Sequence, residues 1–171
     1  SIEYSTIAIE RPDLVTVDDL ARYESHNMGM QAFLDIDLMH APPGYQSHRS
    51  VLREAVTIAQ RMARIGNWLS TWQRELYEGD VSSGVVVAAI ERGIVDVGDL
   101  PDPDDPDPEV ASRVIDRIDA HDLESRFLSA WNDEYRRLVA LDRDTGAVDL
   151  GPFVDGTEDV LRYHLASRWF N

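Results

Sequence analysis

Residues 65–75 read Ile65-Gly66-Asn67-Trp68-Leu69-Ser70-Thr71-Trp72-Gln73-Arg74-Glu75. Asn67, Thr71 and Glu75 stand four residues apart, and at about 100° per residue such positions drift slowly round a helix and share one face. Ile65, Leu69 and Trp72 fall beside them, so the spacing predicts a helix with a polar row bordering a buried side. An amide oxygen, a hydroxyl and a carboxylate in line form half a cage for a hard cation such as Mg²⁺. The same three residue types also suit a solvated helix face. A polar row beside a core is costly unless something satisfies it.

Working outward, apolar residues recur at helical spacing from about Ser47 to Tyr77, at Val51, Leu52, Ala55, Val56, Ile58, Ala59, Met62, Ala63, Ile65, Leu69, Trp72 and Leu76. The middle of this helix is nearly apolar all round, which predicts a central, buried element. On the N-terminal side, residues 1–15 are expected to be irregular, with Pro12 breaking any early helix. Thr16 or Asp18 can cap a helix running from Val17 to about Met39, with Gly29 as its kink or point of close approach. Asp35 and Asp37 diverge by about 200° on a helix and cannot chelate together.

After Tyr77, Glu78-Gly79-Asp80 marks a turn. Val85 to Ile90 is strand-like in composition, yet no partner strand is in sight and Glu91-Arg92-Gly93 reads as a helix end. Residues 101–108 alternate Pro and Asp and are expected as an exposed loop. They lack the Gly and terminal Glu of a calcium loop. Helices are expected from Glu109 to about His121, from Asp122 to Leu141 and from about Phe153 onward, with a turn at Asp142 to Gly146. No repeat and no sheet are visible. The fold class is all-α, a single domain over residues 1–171.

Composition narrows the function. The 171 residues include no cysteine, which excludes disulfides, thiolate catalysis and Cys-based zinc sites. Asp and Glu total 32 against 16 basic residues, all arginine, for a net charge of −16. Such a charge repels nucleic acid and anionic membranes, and no apolar run reaches spanning length. With 43% hydrophobic residues and four Trp the chain is not expected to be disordered. An Asp-rich, Lys-free surface resembles those of proteins from salt-loving organisms, where salt screens self-repulsion. The chain opens on Ser1 rather than Met, so a processed or truncated product is expected.

Asn67-x-x-x-Thr71-x-x-x-Glu75 resembles the second metal-binding motif of class I terpene synthases, (N/D)-D-x-x-(S/T)-x-x-x-E. Arg74 before the Glu, the Gly79-Asp80 turn and the small-apolar segment after it extend the likeness, which covers most of residues 17–171. Trp68 stands where the family often has Asp. The resemblance implies a helical bundle of the terpenoid synthase type around an apolar pocket, this chain being its C-terminal part. It implies a cytoplasmic, Mg²⁺-dependent enzyme that ionises a prenyl diphosphate to an allylic carbocation, followed by cyclisation or elimination. Metal and arginine charge would stabilise the departing diphosphate.

Residue by residue, the resemblance makes Asn67, Thr71 and Glu75 ligands of one Mg²⁺ and puts Arg74 at the diphosphate. Arg22, followed by Ser25 and Gly29, matches the family's diphosphate-sensing arginine, although Glu24 fits the same position. Arg162-Tyr163 matches its C-terminal Arg-Tyr pair, with Arg168-Trp169 as the alternative register. Trp68 or Trp72 would steer the cation or simply pack the core. The family's first, Asp-rich motif has no counterpart, since Asp18-Asp19 reads as a helix cap. An N-terminal half, a second chain or a homodimer is therefore expected to complete the site. The alternatives are a non-catalytic helical domain that dimerises and a metal hydrolase built on His40, His48 and His121, which no HExxH pattern supports.

Overall fold

The computed structural model describes residues 2–145 and 148–168. Eight α-helices and short 3₁₀ turns make up the fold, and no strand occurs among the described residues. Helix α4, Arg49–Tyr77, runs through the middle. Packed against it are α3 (Met30–His40), α5 (Gly84–Glu91), α6 (Pro108–Asp119), α7 (Leu123–Thr145) and α8 (Gly151–Ser167). Ile58, Met62, Ile65, Leu69, Trp72 and Leu76 turn the buried side of α4 toward α7 and the core. The helix is not apolar all round, because its opposite side carries a continuous polar stripe.

Helix α5 forms from a Val/Ala run that would suit a strand, because the surrounding helices bury it on every side. Val85, Val86, Val87 and Ala89 are fully enclosed. It ends at Gly93 in the left-handed region, φ 64°, where the Gly93 and Ile94 N–H groups close back onto Ile90 and Ala89, each at 2.9 Å. At its start Gly84 meets Trp68 so closely that a Cβ would lie 2.6 Å from the indole ring.

Three expectations change. Residues 2–10 form helix α1, Ile2–Glu10, which seats Ala8 in the core; a short segment with weak helical pattern folds because packing rewards it. Pro12 does end it, opening a 3₁₀ turn. The stretch 17–39 is two helices, α2 (Val17–Tyr23) and α3, divided by a 3₁₀ turn at Ser25–Met28 and by Gly29 at φ 71°. Gly29 thus breaks the helix outright. At the far end α7 continues through 142–145 where a turn is expected, and Asp142 accepts a hydrogen bond from the Leu150 N–H at 2.7 Å, tying down the start of α8; Gly146 lies outside the described residues.

Other local signals hold. Thr16 caps α2 by accepting from the Asp19 N–H at 3.1 Å. In the Pro/Asp loop, residues 102–105 are exposed while Pro101 is buried and anchors it. Among the described residues no helix is long and apolar enough to cross a membrane.

Candidate metal centre

The row at Asn67, Thr71 and Glu75 is the lower end of a longer polar stripe on α4. Arg53, Thr57, Gln60 and Arg64 precede it at spacings of three and four residues, which keeps all seven on one side of the helix. Helix α3 and the turn between α2 and α3 cover the upper part. Arg53 pairs with Asp35 at 2.6 and 2.8 Å. The Gln31 side-chain amide donates to the Arg53 carbonyl at 3.0 Å and to the Thr57 hydroxyl at 2.8 Å, and its backbone N–H donates to Gln60 Oε1 at 3.0 Å. Gln60, 1% exposed, donates in turn to the Ser25 carbonyl at 3.1 Å. Pairing of this kind offsets the cost of a partly buried polar seam, with Arg53 Nε left without a partner among the described residues.

At the foot of the seam stands Arg64. Its guanidinium donates to the Glu24 carbonyl at 2.9 Å, lies 3.9 Å from the Glu24 carboxylate and reaches Asn67 Oδ1 at 3.5 Å. Arg64 Nε is buried with no partner among the described residues. Below this point neither α3 nor the turn before it bonds to the row among the described residues. Among the described residues, the side chains of Asn67, Thr71 and Glu75 bond only within α4. The Thr71 hydroxyl stands 2.8 Å from the Asn67 carbonyl and also within hydrogen-bond reach of the Glu75 carboxylate, and its one proton serves either acceptor. Burial pushes the Glu75 carboxyl above its ordinary value; the Thr71 hydroxyl pulls it down, Asp80 and Glu78 raise it and Arg74 lowers it.

These are donor types that a hard divalent cation accepts: all three are oxygens on half-buried side chains, and the one carboxylate is partly desolvated with no ion-pair partner among the described residues. No three His, Asp or Glu side chains converge as a metal cage among the described residues, so His40, His48 and His121 form no histidine centre. The row's mixed amide, hydroxyl and carboxylate chemistry is of another kind.

The remaining residues expected at the site sit elsewhere. Arg74 is exposed and pairs with Glu78 at 3.5 Å. Arg22 is exposed, with its guanidinium 5.5 Å from the centre of the Tyr23 ring. Glu24, the other residue considered for that position, is the one buried against the stripe. Arg162 pairs with Glu158 and Asp159 on the surface of α8, and Tyr163 is 71% exposed. Arg168 grips Glu124, which also accepts from Trp72 Nε1 at 2.7 Å; Trp169 lies outside the described residues. Trp68 and Trp72 both belong to the core, Trp68 edge-on to Phe127 at 5.9 Å. Helix α8 meets α4 at Gly66, where His164 and Leu161 approach, one residue round from the row.

Sequence reading missed Arg64 and Gln60. Their signal was present, since both share the row's helical face, but a polar residue on a long helix acquires meaning only once its cover is known. No family model, curated protein or solved structure matches the chain.

Proposed function

We propose that this chain is part of a Mg²⁺-dependent terpene synthase, or a subunit of one, that ionises a prenyl diphosphate. The observation that carries the reading is the end of the α4 stripe that no other element pairs with among the described residues: Asn67, Thr71 and a partly desolvated Glu75 carboxylate, below the half-buried Arg64. Mg²⁺ bound there would neutralise charge on the departing diphosphate. Asn67 and Thr71 would supply neutral oxygen donors, Glu75 would supply the negative charge, and Arg64, 3.5 Å from Asn67 Oδ1, would add positive potential for the diphosphate. The bundle type, the roles of Arg22, Arg74, Arg162 and Tyr163, and a cytoplasmic setting follow from the resemblance. A facing wall from an N-terminal half, a second chain or a second copy would close the site.

Differential scanning fluorimetry tests it. Mg²⁺ with inorganic diphosphate is expected to raise Tm, and Glu75→Gln or Asn67→Ala to abolish the rise. An undiminished rise in both variants removes the metal role.

The alternative is a non-catalytic interaction or dimerisation module. One observation favours it: Phe33, Ile36 and Met39 on α3 are 68%, 52% and 78% exposed. It predicts a Tm that depends on protein concentration and ignores Mg²⁺ and diphosphate.

A further inference from the structure

A cleft of about 300 Å³ opens where the start of α2, the end of α5 and the first turns of α7 meet. Two elements each give it an apolar residue and, three or four positions on, an arginine: Ala88 and Arg92 at the end of α5, Leu123 and Arg126 on α7. Such spacings keep both members on one helical face. Ala88, Leu123 and Phe127 are buried and form an apolar floor, with Phe127 edge-on to Trp68 behind it. Arg92, Arg126, Asp18 and Glu91 stand exposed around that floor. The Val17 N–H donates to Glu91 Oε2 at 3.3 Å, which ties α2 to α5 along one side.

The charges around this rim stay apart. Elsewhere arginines close onto the plentiful carboxylates, Arg117 onto Asp99 at 2.6 Å and Arg61 onto Glu134 at 2.9 Å. Arg92, Arg126 and Asp18 make no ion pair and no side-chain hydrogen bond among the described residues, although they line one cleft together with Glu91. The guanidiniums offer donors and the carboxylates acceptors, with the space of the cleft between them. A simple anion would meet the arginines but also face Asp18 and Glu91, and a simple cation would meet the reverse. A molecule carrying both signs answers both sets, and an apolar body removes the floor from water. For size, a cavity of ~150 Å³ holds benzene, so one of twice that volume takes about a dozen non-hydrogen atoms.

We propose that the cleft between α2, α5 and α7 binds a free α-amino acid with a large apolar side chain. Its carboxylate lies on Arg92 and Arg126, its ammonium group on Asp18 and Glu91, and its side chain on Ala88, Leu123 and Phe127. Asn67, Thr71 and Glu75 do not line this cleft, so the proposal stands apart from the metal row.

Isothermal titration calorimetry tests it in about 0.2 M KCl, where the pull of the acidic surface on any cation is screened. Three probes share a phenylethyl skeleton: L-phenylalanine, 3-phenylpropionate, which lacks the ammonium group, and 2-phenylethylamine, which lacks the carboxylate. Phenylalanine is expected to bind, and each analogue to bind about tenfold or more weakly, as the loss of a charged hydrogen bond implies. The double variant Arg92→Gln, Arg126→Gln should erase the advantage of phenylalanine over 2-phenylethylamine. Asp18→Asn with Glu91→Gln should erase its advantage over 3-phenylpropionate. All four side chains are exposed, so both variants are expected to fold with an unchanged Tm. No binding of phenylalanine, an analogue that binds as tightly, or an advantage that survives its double variant would overturn the proposal.

Discussion

Arg64 and Glu24 meet where α2 gives way to the turn before α3. The guanidinium donates to the Glu24 carbonyl at 2.9 Å and stands 3.9 Å from its carboxylate, and the two side chains are only 16% and 7% exposed. Removing Arg64 deletes the hydrogen bond to the Glu24 carbonyl and the cation that faces its buried carboxylate. Arg64→Met is therefore expected to lower stability by about 3 kcal/mol in urea unfolding, the low end for such pairs because this one is not in tight contact. Arg64→Met with Glu24→Gln should recover part of the loss. Arg22→Met, at an exposed position, should change stability by no more than about 0.5 kcal/mol; equal losses at positions 22 and 64 would show that the seam does not pin α2.

Glu75 gives an unusual pH signature. Its folded carboxyl is raised above the unfolded value, so the folded state holds the proton more tightly. This contribution favours folding fully below the unfolded pKa and is lost as pH rises through the folded pKa. In metal-free buffer Glu75→Gln should consequently gain stability relative to wild type at pH 7 and show no such gain at pH 3.5. A gain of equal size at both pH values would locate the effect elsewhere.

Gly84 and Trp68 leave no space between α5 and α4. A Cβ 2.6 Å from the indole must displace the ring or the helix, and overpacking of this kind costs about 1–3 kcal/mol. Gly84→Ala is expected to destabilise by about 2 kcal/mol although Ala is the better helix former. Gly156→Ala, into open space on α8, should stabilise by about 0.5–1 kcal/mol. Guanidinium denaturation of the two variants should move the midpoint in opposite directions.

A net charge of −16 on 171 residues implies self-repulsion that salt relieves. The Debye length shrinks from about 10 Å at 0.1 M to about 3 Å at 1 M. The melting temperature should rise steeply with KCl through that range. A flat response would mean that the surface is not adapted to high salt.

Much of the architecture was legible in the chain. The long apolar pattern before Tyr77 marked α4, Thr16 marked the start of α2, Gly93 the end of α5, and Gly29 a disturbance in the first helical stretch. These signals are local, arising from backbone conformation and helical period. Helix α1 was illegible because its sequence is a weak helix former, and its stability comes from docking Ala8. The continuation of α7 past Leu141 goes with a contact distant in the chain, the Leu150 N–H donating to Asp142.

The row of Asn67, Thr71 and Glu75 was visible as a row from spacing alone, since a helix places positions four apart on one face wherever it sits. What covers that face is a matter of which other helices fold over it. Only the tertiary structure shows α3 and the turn before it pairing with Arg53, Thr57, Gln60 and Arg64, that pairing ending at Arg64, Glu24 rather than Arg22 lying against the stripe, and Trp68 and Trp72 turned into the core. The period of one helix determined the face, and contacts between residues distant in the chain decided which part of it stays free for a ligand.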